Sequence, residues 1–275
     1  MIYGMGGVGK TSLAVELCHR LIALDVFADG ILWYRVRQEG VAEVIRRCTI
    51  DLDIDPSINA IVDLDSRIAE FQHHLRKLDL LIVLDNADYD SDVMRPIFSL
   101  FAGIPVLITS RREFDLPGSS RVPLGDLKPE DAIALVCDLL GMNGESASLA
   151  PLGTASDVEM LCGLVSCLPI ALILAAAHIR ERHLPIRRYI NAWRSLRNPL
   201  GLLTADRIDV KEEKLRDVRA CFAIFNNDLD ERARRILAYM GLWEGRDFSL
   251  THLASVNHET IFPFPSATVA DNGCM

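Results

Sequence analysis

The chain has 275 residues, half of them hydrophobic and about a quarter charged, which is typical of a soluble globular protein of one to three domains. Its net charge of −9 argues against a broad nucleic-acid-binding surface, although a local basic patch is compatible with it. The most apolar segment, residues 164–179, is too short and too interrupted to span a bilayer, and scattered cysteines without a C-x-x-C pair indicate free thiols in a reducing cytoplasm.

The chain opens on a phosphate-binding motif. The pattern G-x-x-x-x-G-K-[ST] is matched by Gly4, Met5, Gly6, Gly7, Val8, Gly9, Lys10 and Thr11, and Ser12 follows. Glycines let the backbone curl so that its N–H groups point at phosphate oxygens, and Lys10 adds a positive charge for the β- and γ-phosphates. The Thr11 hydroxyl is a suitable Mg²⁺ ligand. Leucines at helical spacing predict a following helix whose N-terminus faces the same anion.

The strand that carries such a loop is nearly missing from the sequence. Only Ile2 and Tyr3, after the initial Met1, precede Gly4, whereas a buried strand has about five residues. We therefore expect a truncated first strand. A fragment, or a start placed too late, would account for it.

Strands and helices alternate before residue 125, which predicts an α/β fold with a parallel sheet. The predicted strands cover 30–36, 80–84, 105–109 and an edge strand at 121–124, and the predicted helices cover 41–50, 64–78 and 93–101.

Only helices are predicted beyond residue 124. They cover 128–139, 158–164, 169–181, 186–196, 215–225, 231–240 and 250–254. The segment Asn198-Pro199-Leu200-Gly201 marks a predicted boundary between two parts of the chain. These patterns divide the chain into four parts, namely a nucleotide-binding α/β part with the phosphate loop (1–124), a helical part (125–200), a third helical section (201–256) and an irregular tail (257–275).

An acid follows the second predicted strand. Asp85 ends the apolar run 80–84, and its distance from Lys10 leaves room for two helices and a strand. We expect this strand to lie beside the loop's own strand, with the carboxylate reaching Mg²⁺ through water. Asn86 stands where many hydrolysing P-loop proteins have a second acid. An amide orients water without taking its proton, so hydrolysis should be slow; alternatively, Asn86 only ends the strand.

A basic pair follows the next strand. Because the carboxyl ends of parallel strands face the ligand crevice, Arg111 is the candidate sensor of a γ-phosphate, with Arg112 in reserve. The alternative is a basic strand end that pairs with surface acids.

Five motifs in series resemble the NB-ARC domain of the signal-transduction ATPases with numerous domains (STAND), in its bacterial form. They are GMGGVGKTSLA, LLIVLDNA, VLITSR, VPLGDLKPEDAIAL and CLPIAL. The resemblance implies that residues 4–12 hold the phosphates of ADP or ATP, that Asp85 serves Mg²⁺ and that Arg111 is the first sensor arginine. Pro169 would pack near the adenine nucleotide, although Cys167 replaces a usual glycine. Residues 205–255 resemble the start of a winged helix whose later Met-His-Asp motif is missing.

The resemblance implies a cytoplasmic ADP/ATP switch that controls self-oligomerisation and is a slow ATPase at most. Effector and sensor domains would lie outside this chain, and we expect no membrane or nucleic-acid partner. One alternative is an ATP-controlled DNA-binding regulator, which Asp228 and Asp230 beside the basic segment Arg232-Ala233-Arg234-Arg235 disfavour. The other is a P-loop kinase, which would need an acceptor pocket and an arginine-bearing lid.

Overall fold

The computed structural model describes residues 1–37, 39–116, 118–142 and 152–200, together with residues 221, 223, 224, 231, 233 and 234. The chain divides into two compact units, residues 1–221 and 222–275. In the second unit, the described residues are helical. Apart from those isolated positions, the predicted winged helix (201–256) and tail (257–275) lie outside the described residues.

A parallel sheet forms the centre of the first unit. Its described strands are β1 (Ile2–Tyr3), β2 (Gly30–Arg35), β3 (Leu80–Asp85), β4 (Val106–Ser110) and β5 (Val122–Pro123). They are ordered β2-β3-β4-β1-β5, and every pairing is parallel. The predicted α/β fold is confirmed. So are the short first strand, which pairs with neighbours on both sides, and the edge strand, where Pro123 is tolerated.

One expectation about the sheet is wrong. We expected the strand of Asp85 to lie directly beside the loop strand, but β4 lies between β1 and β3. Apolar runs predict buried strands without specifying which of them are neighbours. The consequence is that the end of β4 stands between the phosphate loop and Asp85, which places Thr109 and Ser110 at the centre of the site.

Helices flank the sheet and then continue without further strands in the described residues. Those of the sheet region are α1 (Lys10–Ala23), α2 (Val41–Asp51), α3 (Leu64–Leu75) and α4 (Ser91–Leu100), with a 3-10 turn at Pro56–Ala60. The later ones are α5 (Pro129–Leu139), α6 (Ala155–Leu164), α7 (Pro169–Glu181) and α8 (Ile186–Leu200). None of the described helices is both long enough and apolar enough to cross a membrane.

The helix limits follow local signals in most cases. The Asp63 carboxylate accepts the Ser66 N–H at the start of α3, and Thr154 forms a reciprocal capping box with Asp157 at α6. The Pro56–Ala60 turn was not predicted. The predicted end of the last helix at residue 196 also needs correction, because α8 continues to Leu200. A proline this close to a helix end interrupts little of the helical hydrogen bonding.

The fully buried strand β3 divides the core into two faces. Ile82 and Leu84 belong to the larger cluster, which α2, α3 and α4 cover, while Leu81 and Val83 belong to a smaller cluster with Cys18 of α1. This alternation follows the two-residue period of a strand. Helices on both faces leave the carboxyl ends of the strands as the open edge, where ligands bind in such folds.

Candidate nucleotide-binding site

The loop between β1 and α1 has the backbone that its glycines permit. Gly7 has φ +78° and Gly9, the N-cap of α1, has φ +100°, both in the left-handed region. Gly9 offers no side-chain cap, and the first turn of α1 contains no acid. Val8 is buried and anchors the loop, whereas Gly6, Thr11 and Ser12 are exposed. The N–H groups at this helix start are therefore available to an anion.

Lys10 folds back over its own loop. Its Nζ donates to the carbonyl oxygens of Gly4 and Met5, at 2.9 Å each. Partial burial lowers the pKa of Lys10, the nearby Asp88 carboxylate opposes that shift, and the Arg111 guanidinium adds to it. Two cations, Lys10 and Arg111, and two carboxylates, Asp88 and Asp85, thus share the electrostatic environment of the loop.

Asp85 and Thr11, the two predicted Mg²⁺ ligands, lie side by side. The Thr11 hydroxyl donates to Asp85 Oδ1 at 2.9 Å, and the Thr109 hydroxyl donates to the same oxygen at 2.6 Å. Asp85 is 7% exposed, so these two hydrogen bonds compensate much of the cost of burying its charge. A hydroxyl and a carboxylate side by side are the hard oxygen donors that Mg²⁺ prefers, and this pair fits that ion.

Asn86 forms the turn after β3. Its φ is +60°, a region that asparagine adopts more readily than most residues, and its N–H donates to the Thr109 hydroxyl at 3.0 Å. The Ala87 N–H donates to the Thr109 carbonyl at 2.9 Å. Asparagine at this position therefore has a conformational reason that is independent of any role in orienting water.

Arg111 and Arg112 diverge from the end of β4. Arg111 Nε lies 3.0 Å from Asp88 Oδ2, and Arg112 Nη1 lies 3.0 Å from Asp90 Oδ1. A Cβ added to Gly6 would lie 3.8 Å from Arg111 Nε. Both arginines pair with acids, as the alternative interpretation expected, but Arg111 also lies beside the phosphate loop.

The start of α7 touches the same loop. Pro169 is the first residue of this helix, and the next residue, Ile170, donates its N–H to the Gly7 carbonyl at 3.2 Å. A Cβ on Gly7 would lie only 2.4 Å from Ile170 Cγ2. Cys167, which replaces the usual glycine, has φ +52°, a conformation that glycine adopts without strain.

Three residues of this site were not predicted in their observed roles. Thr109 joins Asp85 to Asn86, Asp88 holds Arg111, and Ile170 contacts the loop. The available signals were weak, namely a polar residue at a strand end, an acid three residues after Asp85 and an apolar residue after Pro169.

The site has the three features that define a P-loop nucleotide-binding fold. These are a glycine-rich loop after a central parallel strand, a helix N-terminus behind the loop and a buried acid at the same edge of the sheet. The model of the NB-ARC domain family matches residues 1–143, and the chain belongs to that family. The family is one of nucleotide-binding signalling ATPases, and the resemblance noted in the sequence is confirmed.

Relatives cover nearly all of this chain. Regulatory protein AfsR of Streptomyces coelicolor is 31% identical over 261 residues, which are 92% of this chain and 24% of AfsR. Disease susceptibility protein LOV1 of Arabidopsis thaliana is 25% identical over 255 residues, 87% of this chain and 27% of LOV1. This chain thus spans about a quarter of the length of these relatives.

A solved structure has the same fold. It is a STAND protein with a tetratricopeptide repeat sensor from Pyrococcus horikoshii, matched with a TM-score of 0.61 at 17% identity over 96% of this chain and 35% of that protein. At this identity the match establishes the fold alone.

Proposed function

We propose that this chain is the nucleotide-binding switch of a STAND-type signalling protein. It binds ADP or ATP together with Mg²⁺, and exchange between the two nucleotides controls self-association. The convergence of the glycine loop, Lys10, the α1 N-terminus and the Thr11–Asp85 pair at one sheet edge supports this function.

Each group has a chemical task in this proposal. Backbone N–H groups of residues 5–12 and the Lys10 ammonium bind phosphate oxygens, which carry the negative charge of the ligand. Thr11 and Asp85 hold Mg²⁺, which when bound neutralises part of the phosphate charge. Thr109 keeps the Asp85 carboxylate in place through its 2.6 Å hydrogen bond.

The link between loop and helix supports a switch over a simple binding module. Ile170 contacts Gly7 through both its N–H and its side chain, so a nucleotide that shifts the loop also acts on the start of α7. Two nucleotides can move an equilibrium only if they favour different arrangements of such an element. Pro169 fixes the first turn of this helix and would lie near the nucleotide.

Hydrolysis is slow at most in this proposal. Asn86 cannot act as a general base, because its side-chain amide does not take up a proton. The alternatives of a DNA-binding regulator and a kinase stay predictions. The first depends on residues 201–256, which lie almost wholly outside the described residues.

The identity of the ligand provides the test. The purified chain is denatured, and the released nucleotide is identified by chromatography. Separate samples of the folded chain, freed of bound nucleotide, are titrated with ADP, ATP and GDP. We expect ADP to be released and both adenine nucleotides to bind. Release of GDP, or no binding of adenine nucleotide by folded protein, would refute the proposal. Sedimentation velocity with ADP and with a non-hydrolysable ATP analogue tests self-association.

A further inference from the structure

The Asp88 carboxylate contacts both the side chain and the backbone of Arg111. The Asp88 carboxylate accepts the Arg111 N–H at 2.6 Å through Oδ1 and pairs with Arg111 Nε at 3.0 Å through Oδ2. The Ser110 hydroxyl lies 3.5 Å from the same Oδ1. Asp88 is the more buried partner, with 22% of its side chain exposed against 65% for Arg111. The acid is therefore the more enclosed member of this pair, and the guanidinium is the member more accessible to a ligand.

The pair lies against the phosphate loop. Arg111 Nε is 3.8 Å from the position of a Cβ on Gly6, and both charges act on the Lys10 ammonium in opposite directions. An arginine at this distance from a phosphate cradle can bind a phosphate oxygen, but here its charge is already engaged by a carboxylate. A terminal phosphate must compete with Asp88 for the guanidinium.

We propose that Asp88 is a specificity-determining residue that restrains Arg111 and thereby lowers the affinity for ATP relative to ADP. The inference rests on the proposed function, because it assigns a preference between that site's two ligands. ATP carries one more phosphoryl group than ADP, and only this group gains from a released arginine. Restraint of Arg111 thus favours the diphosphate form.

The test compares nucleotide affinities in four variants of the full chain. Calorimetry gives the Kd values of ADP and of the β,γ-imido analogue of ATP, each with Mg²⁺. An exposed ion pair of this kind is worth about 0.2–1 kcal/mol, so Asp88→Asn should raise the ATP-analogue to ADP affinity ratio by about 1.4- to fivefold. Arg111→Ala should lower that ratio, and Asp88→Asn should give no gain in the Arg111→Ala background.

The neighbouring pair offers a matched control. Asp90 holds Arg112 at the same 3.0 Å distance, so Asp90→Asn removes an equivalent charge two residues away and should leave the ratio unchanged. In Asp88→Asn, the side-chain oxygen of asparagine can still accept the Arg111 N–H, so the fold should be retained. If Asp88→Asn nevertheless does not fold, the affinity ratio of Arg111→Ala tests the inference instead.

Three outcomes separate the inference from the function. An unchanged ratio in Asp88→Asn, or in Arg111→Ala alone, overturns the restraint while the function stands. A gain that persists without Arg111 also overturns it, because general repulsion by the carboxylate would then explain the preference. Failure of the unmutated chain to bind either nucleotide refutes the proposed function and the inference together.

Discussion

Replacing Gly7 by alanine should disrupt the contact between the phosphate loop and α7. The new Cβ would lie 2.4 Å from Ile170 Cγ2 and 2.8 Å from Ile170 Cβ, closer than packed carbon atoms come. The backbone at Gly7 has φ +78°, which costs an L-residue about 1–2 kcal/mol. Overpacking adds about 1–3 kcal/mol, so the substitution should cost about 2–5 kcal/mol in total.

Gly103 supplies the control for the backbone contribution. Its φ is +88°, but no atom lies within 4 Å of a Cβ placed there, so Gly103→Ala should cost only the conformational part, about 1–2 kcal/mol. Ile170→Ala removes the methyl group at 2.4 Å and should recover part of the loss in the Gly7→Ala background. Urea unfolding followed by circular dichroism measures the free energies of unfolding of Gly7→Ala, Gly103→Ala, Ile170→Ala and the Gly7→Ala/Ile170→Ala double variant against the parent.

The same variants should differ in ligand binding. Gly7→Ala should weaken ADP binding because the loop cannot keep both its curvature and its contact with Ile170, whereas Gly103→Ala should bind ADP as the parent does. If Gly7→Ala costs no more stability than Gly103→Ala and binds ADP with the parent's affinity, the loop and α7 do not touch as described.

Three further substitutions test other parts of the site and fold. Turnover of ATP should be on the order of one per minute or less, and Asn86→Asp should raise it if water activation is limiting; several turnovers per second in the parent would show that another base acts. Thr109→Val leaves the Asn86 N–H without its acceptor and Asp85 without one donor, and should cost about 1–3 kcal/mol or more in urea unfolding; no loss would argue against both bonds. The pKa of Asp157 is lowered to about 2 by hydrogen bonds from the Thr154 N–H, the Arg187 guanidinium and the Thr154 hydroxyl. Asp157→Asn should therefore lower the melting temperature at pH 7. The difference should shrink progressively from pH 4 towards pH 2, where Asp157 protonates in the folded state. A melting-temperature difference independent of pH would contradict that assignment.

Much of the fold was predictable because the signals are local. A proline at the first helical position and an apolar helix gave α7 its observed limits, Pro169–Glu181. The apolar run before Asp85 gave a strand buried on both faces. Both inferences depend on the period and on flanking residues, which are properties of a short segment.

The arrangement of elements was less predictable because it depends on distant contacts. Sequence patterns do not fix strand neighbours, so the insertion of β4 between β1 and β3 was missed. The partner of Arg111 was also missed, since Asp88 lies 23 residues from Arg111 along the chain and resembles any surface acid. Ile170 was overlooked because its neighbour Pro169 carried the family motif.

The most direct test of nucleotide binding at this loop is the ADP affinity of Lys10→Ala measured by calorimetry. Lys77→Ala, which removes an exposed lysine after α3, serves as the control for loss of one positive charge. Charge-assisted phosphate contacts are each worth roughly 1.5–3 kcal/mol, so Lys10→Ala should bind ADP at least about tenfold more weakly, while Lys77→Ala should match the parent. Equal ADP affinity in folded Lys10→Ala and in the parent would contradict the assignment of residues 4–12 as the phosphate site.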